Sequence, residues 1–178
     1  MWIKIALIMW VVNSSVPTTN EQVVFASVLK KYCSYVGIDL QIARRPLNDR
    51  YCERWSLWED RYNQYNCYKR YVREKKGQWN MFVRNPYITD GNRLGGGLGA
   101  ICIKNHSKGL SLVAYRSEQP LPSAITGVHE TFHNAGADHQ TVDPNEIMYP
   151  YFNSVSINSN GGMTIGEGTK QSIRECLK

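Results

Sequence analysis

The sequence predicts a single α+β domain, α/β-like in its first half, and three observations carry that prediction. Residues 1–43 run as an apolar stretch, an amphipathic stretch of helical period and a second alternating stretch, which is the order strand, helix, strand. Residues 78–116 then hold three short apolar runs of strand character, parted by glycine-rich or polar turns. The last third returns to helical signals, first over a histidine-bearing segment and again from about Thr164 to Leu177. A chain of 178 residues suits one domain with one substantial core. With 42% hydrophobic and 20% charged residues it has the composition of an ordinary globular protein, not of a disordered or fibrous chain.

The elements follow in order. Residues 1–13, MWIKIALIMWVVN, admit two readings: a signal peptide with Lys4 ahead of a short apolar run, or a buried strand rich in Ile and Val. The strand reading is preferred, because a helix and a further strand follow directly. Asn20 or Thr19 is the expected cap of a helix from Glu21, with Val24, Phe25, Val28, Leu29, Tyr32 and Val36 on one stripe. Gly37 ends that helix, and residues 38–43, IDLQIA, alternate as a strand. From 46 to 77 a helical insertion is expected, with Tyr51, Trp55, Trp58, Tyr62, Tyr65 and Tyr68 at spacings of three and four along one side. The same region, from Arg44 to Lys76, is basic and aromatic together, a combination also used to bind polyanions. Acidic residues dilute that charge, so an aromatic face packed on the sheet is the preferred reading and nucleic acid is not the expected partner.

Beyond Gly77 the expected strands are residues 78–85, 98–104 and 110–116. The glycine-rich run between the first two, residues 91–100, lacks the Gly-Lys-Ser/Thr of a phosphate loop. Pro120 and Pro122 punctuate the approach to the next helix, with Ser123 as its expected cap.

That helix carries HETFHNAGADH, residues 129–139, and three of the chain's four histidines lie in it. His129 and His133 are four apart and project from one helical face, where both imidazoles can ligate one Zn2+ ion. Glu130 follows the first ligand and can reach a water in the metal's open position. Gly136 can adopt the left-handed conformation that ends the helix and turns the chain, bringing His139 in as a third ligand. Three imidazoles and one open position describe a catalytic zinc site, since structural sites fill the fourth position with protein. Met148 follows nine residues after His139, within Asp143-Pro144-Asn145-Glu146-Ile147-Met148-Tyr149-Pro150.

This eleven-residue motif with its downstream methionine resembles the metzincin metallopeptidases, and the run through Met148 and Pro150 is most like their matrixin branch. The resemblance implies a zincin-like catalytic domain: a twisted, mostly parallel five-stranded sheet with an antiparallel edge strand, two long helices and a C-terminal helix. It implies a zinc endopeptidase with Glu130 as general base and acid, and with Met148 in a methionine turn under the metal. Gly99, Ala100 and Ile101 would border the cleft and hold substrate as an added strand, and Pro150, Tyr151 and Phe152 would line the specificity pocket. Matrixins carry Pro-x-Tyr there, and Phe152 keeps the ring without the hydroxyl. Gln140, after the third histidine, marks no branch. Pro150 stands where astacin- and serralysin-like sites place a tyrosine ligand. No acidic cluster supports the calcium common in matrixins. The family also implies a secreted, monomeric protein acting on protein or peptide substrates. Two other classes stay open: a catalytically silent module on the same scaffold, and polyanion binding through residues 44–76.

Five cysteines are present, so at least one is free or pairs outside the chain. None has zinc-ligand spacing. Cys52 with Cys67 is the expected local bridge, Cys33 with Cys176 can tie the first helix to the last, and Cys102 is expected as a buried thiol. Pairing would imply an oxidising compartment. No run reaches the length of a membrane-spanning helix, and the net charge of +6 bears mainly on solubility and acidic partners.

Overall fold

The computed structural model describes residues 2–13, 17–49, 51–52, 61–72, 77–84, 95–97, 108–150 and 162–178. The central strand is β1 (Ile3–Val12), and its alternation places Ile5, Leu7, Met9 and Val11 in the main core, with Trp10 and Val12 facing the opposite side. Helix α1 (Thr19–Tyr35) follows, then β2 (Ile38–Leu47), parallel to β1. The chain continues through α2 (Arg61–Tyr68), a short 3-10 turn (Lys69–Tyr71), β3 (Gln78–Arg84), β4 (Gly95–Gly97) and β5 (Lys108–Ala114). Helices α3 (Pro120–Asn134) and α4 (Glu167–Leu177) complete the described elements. Four strands run parallel in the order β2, β1, β3, β5, and the three residues of β4 pair antiparallel with β5.

Helix α1 begins two residues earlier than its sequence suggests. Thr18, not Asn20 or Thr19, is the N-cap, in a capping box: its side chain accepts from the Glu21 N–H while Glu21 accepts from the Thr18 N–H. A glutamate three residues after Thr18 decides the register. Phe25, Leu29, Tyr32 and Val36 are buried as expected of the stripe, but Val24 is 56% exposed because the buried face is narrower than the apolar one. Gly37, at φ +81°, turns the chain into β2. Helix α3 also starts early: Gln119 is its N-cap, and Pro120 and Pro122 lie in its first turn, where the missing N–H groups have no intrahelical acceptor to lose. Ser123 is therefore inside the helix, donating to the Gln119 carbonyl and accepting from the Arg116 N–H.

Helices α1 and α3 pack on the same sheet face and meet at Gly127. A Cβ there would fall 2.6 Å from Cζ of Phe25, so any larger residue would displace the buried Phe25 ring. The opposite sheet face carries a smaller core of Val12, Cys52, Tyr68, Phe82, Leu110, Leu112 and Ala114. Cys52 and Cys67 are disulfide-bonded across a Cα separation of 5.5 Å, which staples the segment covering this face. Tyr68 is buried against Phe82 there, whereas Tyr51 is exposed; Trp55 and Trp58, and the side chains of Tyr62 and Tyr65, lie outside the described residues. The expected bridge between Cys33 and Cys176 is absent: Cys33 is a free, buried thiol, and Cys176 is disulfide-bonded elsewhere. The Cys33 side chain sits on the buried stripe of α1, sealed in the main core. Cys102 lies outside the described residues. Among the described residues no helix is long and apolar enough to cross a membrane.

Candidate metal centre

Helix α3 carries His129, Glu130 and His133 on its last turns, and its termination delivers the rest of the site. Gly136 adopts φ +89°, and the backbone closes in a Schellman motif: Ala137 N–H donates to the Phe132 carbonyl at 2.9 Å and Gly136 N–H to the His133 carbonyl at 2.9 Å. Ala137 and Phe132 are both buried, the apolar contact that accompanies this motif. The turn has two consequences. It aims the Ala137 carbonyl at His133 Nδ1, 2.7 Å away, and it sends the chain back so that His139 reaches the helix face.

The three Nε2 atoms stand 3.1 to 3.2 Å from one another. A tetrahedral ion bound by nitrogens at about 2.0–2.1 Å holds them roughly 3.3 Å apart, so the spacing fits zinc. The tautomers fit as well. His129 Nδ1 donates to the Ile147 carbonyl at 2.6 Å and His133 Nδ1 to the Ala137 carbonyl, which leaves both Nε2 lone pairs for a cation. Among the described residues this is the one cluster of three or more such groups able to hold a metal ion.

The electrostatics point the same way. Burial, then the neighbouring His133, push the His129 imidazole down to about 3, against the Ile147 carbonyl, which favours its protonated form. Burial likewise holds His133 below the usual histidine range. Both rings are thus neutral at physiological pH, the form that ligates a metal. Burial alone raises the Glu130 carboxyl to about 8 in the metal-free site, and its Oε2 is buried without a hydrogen-bond partner. A cation nearby would favour the carboxylate and lower that value.

The Ile147 carbonyl that meets His129 belongs to the turn of residues 143–149. Glu146 N–H donates to the Asp143 carbonyl and Tyr149 N–H to the Glu146 carbonyl. Met148 is fully buried in the main core, and its carbonyl accepts from Gln140 N–H at 2.9 Å, which fastens the segment bearing His139. Pro150 is half-buried at the end of this turn. Tyr151 and Phe152, and Gly99, Ala100 and Ile101, lie outside the described residues. Sequence reasoning missed the carbonyls of Ile147 and Ala137. The Ala137 carbonyl was signalled indirectly by Gly136; the Ile147 carbonyl follows from a chain return that local spacing does not reveal.

No protein-family model and no curated protein sequence matches the chain, but solved structures do. Metalloproteinase-II from Bacteroides fragilis superposes with a TM-score of 0.70 at 15% identity over 98% of this chain and 53% of that one. Archaemetzincin from Methanopyrus kandleri gives a TM-score of 0.61 at 12% identity over 97% and 95% of the two chains. A chaperone–substrate complex gives 0.57 at 11% identity, over 99% of this chain and 35% of that one. The chain therefore has the fold of metalloproteinase structures and carries a three-histidine cluster suited to zinc. At these identities the likeness is one of fold, and the chain spans about half the length of the Bacteroides protein.

Proposed function

We propose that the chain is a zinc-dependent endopeptidase of the metzincin kind. The observation that carries the reading is the trio of Nε2 atoms within 3.2 Å of one another, two of them held in the ligating tautomer by backbone carbonyls. His129, His133 and His139 would hold the ion. Bound there, zinc supplies Lewis acidity, polarising a peptide carbonyl and making water acidic enough to attack near neutral pH.

Glu130 does the proton work. Its carboxylate takes the proton from the attacking water as the new carbon–oxygen bond forms, and returns it to the amide nitrogen as the carbon–nitrogen bond breaks. Both products leave with complete valences and no covalent enzyme intermediate. Met148, fully buried and next in the chain to the Ile147 carbonyl that meets His129, would serve as the floor in the manner of a methionine turn. The names of the two metalloproteinase neighbours support a peptidase, and the sequence motif supports the metzincin group with matrixin-like features around Met148 and Pro150. Gly99, Ala100 and Ile101 would offer an edge for an extended substrate, with Pro150, Tyr151 and Phe152 at its specificity pocket. Secretion and a monomeric state complete the proposal by family resemblance.

The test is digestion of a diverse peptide mixture read by mass spectrometry, with and without a zinc chelator and beside Glu130→Ala. Chelator-sensitive cleavage absent from the variant supports the peptidase. Zinc bound at one ion per chain with no cleavage of any peptide or protein substrate overturns it.

A further inference from the structure

Glu146 is buried yet lies neither on α3 nor among the histidines. Its carboxylate accepts the hydroxyl of Thr169 on α4 and lies against Gly166, the N-cap of that helix. A Cβ on residue 166 would come within 2.8 Å of Glu146 Oε2, so the glycine makes room for the carboxylate. Helix α4 has no side-chain cap of its own. A negative group from a distant turn instead meets the positive end of the helix dipole.

The backbone around Glu146 leads directly to the metal cluster. Thr164 N–H donates to the Asn145 carbonyl at 2.9 Å, and Ile147 N–H to the Thr164 carbonyl at 3.0 Å. The other end of the Ile147 residue, its carbonyl, receives His129 Nδ1. Three consecutive residues, 145 to 147, are thus fastened to the approach to α4, and the third orients a ligand.

We infer that Glu146 is a positioning residue for the metal: it clamps the start of α4 to the turn whose Ile147 carbonyl fixes the His129 tautomer. The inference rests on the zinc reading of the histidine cluster. Releasing the clamp lets the turn relax and frees the His129 ring to rotate or change tautomer, so metal affinity and docking of the C-terminal helix are coupled. Coupling is reciprocal, so zinc must tighten α4 as much as α4 tightens zinc.

The experiment uses the full chain and zinc alone. Affinity is read by competition with a chromophoric chelator, and α4 docking by amide hydrogen exchange with and without zinc. Thr169→Val, nearly isosteric, and Glu146→Ala are expected to bind zinc about 10- to 100-fold more weakly, the usual cost of losing a group that orients a ligand. Glu146→Gln keeps an acceptor for Thr169 and is expected to recover most of the affinity. Zinc should slow exchange in α4 of the wild type and do so less in Thr169→Val. A Thr169→Val protein with a lower Tm but unchanged zinc affinity and unchanged α4 response would overturn the inference, leaving Glu146 a purely structural cap. Thr169→Val decides the matter even if Glu146→Ala does not fold. A wild type that binds no zinc removes the metal reading itself, and this inference with it.

Discussion

His129 Nδ1 lies 2.6 Å from the carbonyl oxygen of Ile147, eighteen residues further along the chain. This one bond joins the helix that carries two of the clustered histidines to the turn of residues 143–149, and it decides which ring nitrogen is left for a cation. The same logic repeats at His133 with the Ala137 carbonyl. Two of the three imidazoles are thus oriented by backbone carbonyls.

His129→Ala is expected to lose the metal, and Glu130→Ala to keep it. Elemental analysis of the purified variants should find about one zinc per chain in Glu130→Ala, with turnover down on the order of 10²- to 10⁴-fold for loss of the acid–base group. A full zinc complement in His129→Ala would count against its place in the ligand set.

The metal-free protein should carry a pH signature. The Glu130 carboxyl is raised from its ordinary value to about 8, so its contribution to stability is complete below about 4.5 and is lost as pH rises through 8. His129 runs the other way: its imidazole is pushed down to about 3, so its contribution is complete above the ordinary histidine value and fades as pH falls toward 3. Melting chelator-treated wild type and Glu130→Gln between pH 5 and pH 8 separates the two. The wild type should lose Tm relative to the variant as pH rises, and parallel curves would show that Glu130 carries no proton in the empty site.

Cys33 should be inert in the folded protein. Burial pushes its thiol up to about 12, and it is sealed under α1. Iodoacetamide at pH 8 should label the Cys33 peptide only after denaturation. Rapid labelling of the native chain would mean that α1 opens readily.

Removing the Cys52–Cys67 bridge by a double change to serine should cost about 3 kcal/mol, the loop-entropy value for a closure of this length. Urea unfolding measures it. No change in midpoint would show that the segment covering the smaller core is held by Tyr68 and its neighbours without the staple.

Tyr32→Phe should destabilise by about 1–3 kcal/mol, because the Met163 N–H donates to the Tyr32 hydroxyl at 2.7 Å in a buried setting and has no other partner among the described residues. Thermal unfolding checks it, and an unchanged Tm would mean that water replaces the hydroxyl.

Local spacing carried a great deal. His129 and His133 share a helix face because 3.6 residues make a turn, and Gly136 takes the conformation that only its lack of a Cβ makes easy. The burial of Ile5, Leu7, Met9 and Val11 follows from alternation, and Gly37 stops α1 for the same reason that Gly136 stops α3. Boundaries were less legible: Thr18 displaced Asn20 and Thr19 because Glu21 answers it, and two prolines that look like breakers fit the first turn of α3.

What the sequence by itself determined is thus the histidine cluster and the helix that presents two of its members, since both depend on residues within a few positions of one another. Only the tertiary structure decided which carbonyl orients His129, that Glu146 closes on Thr169, and that Cys33 stays unpaired. Those relationships join residues separated by many turns of chain. Their partners are chosen by how the layers pack and by which buried polar groups must be satisfied, and neither is written in local periodicity.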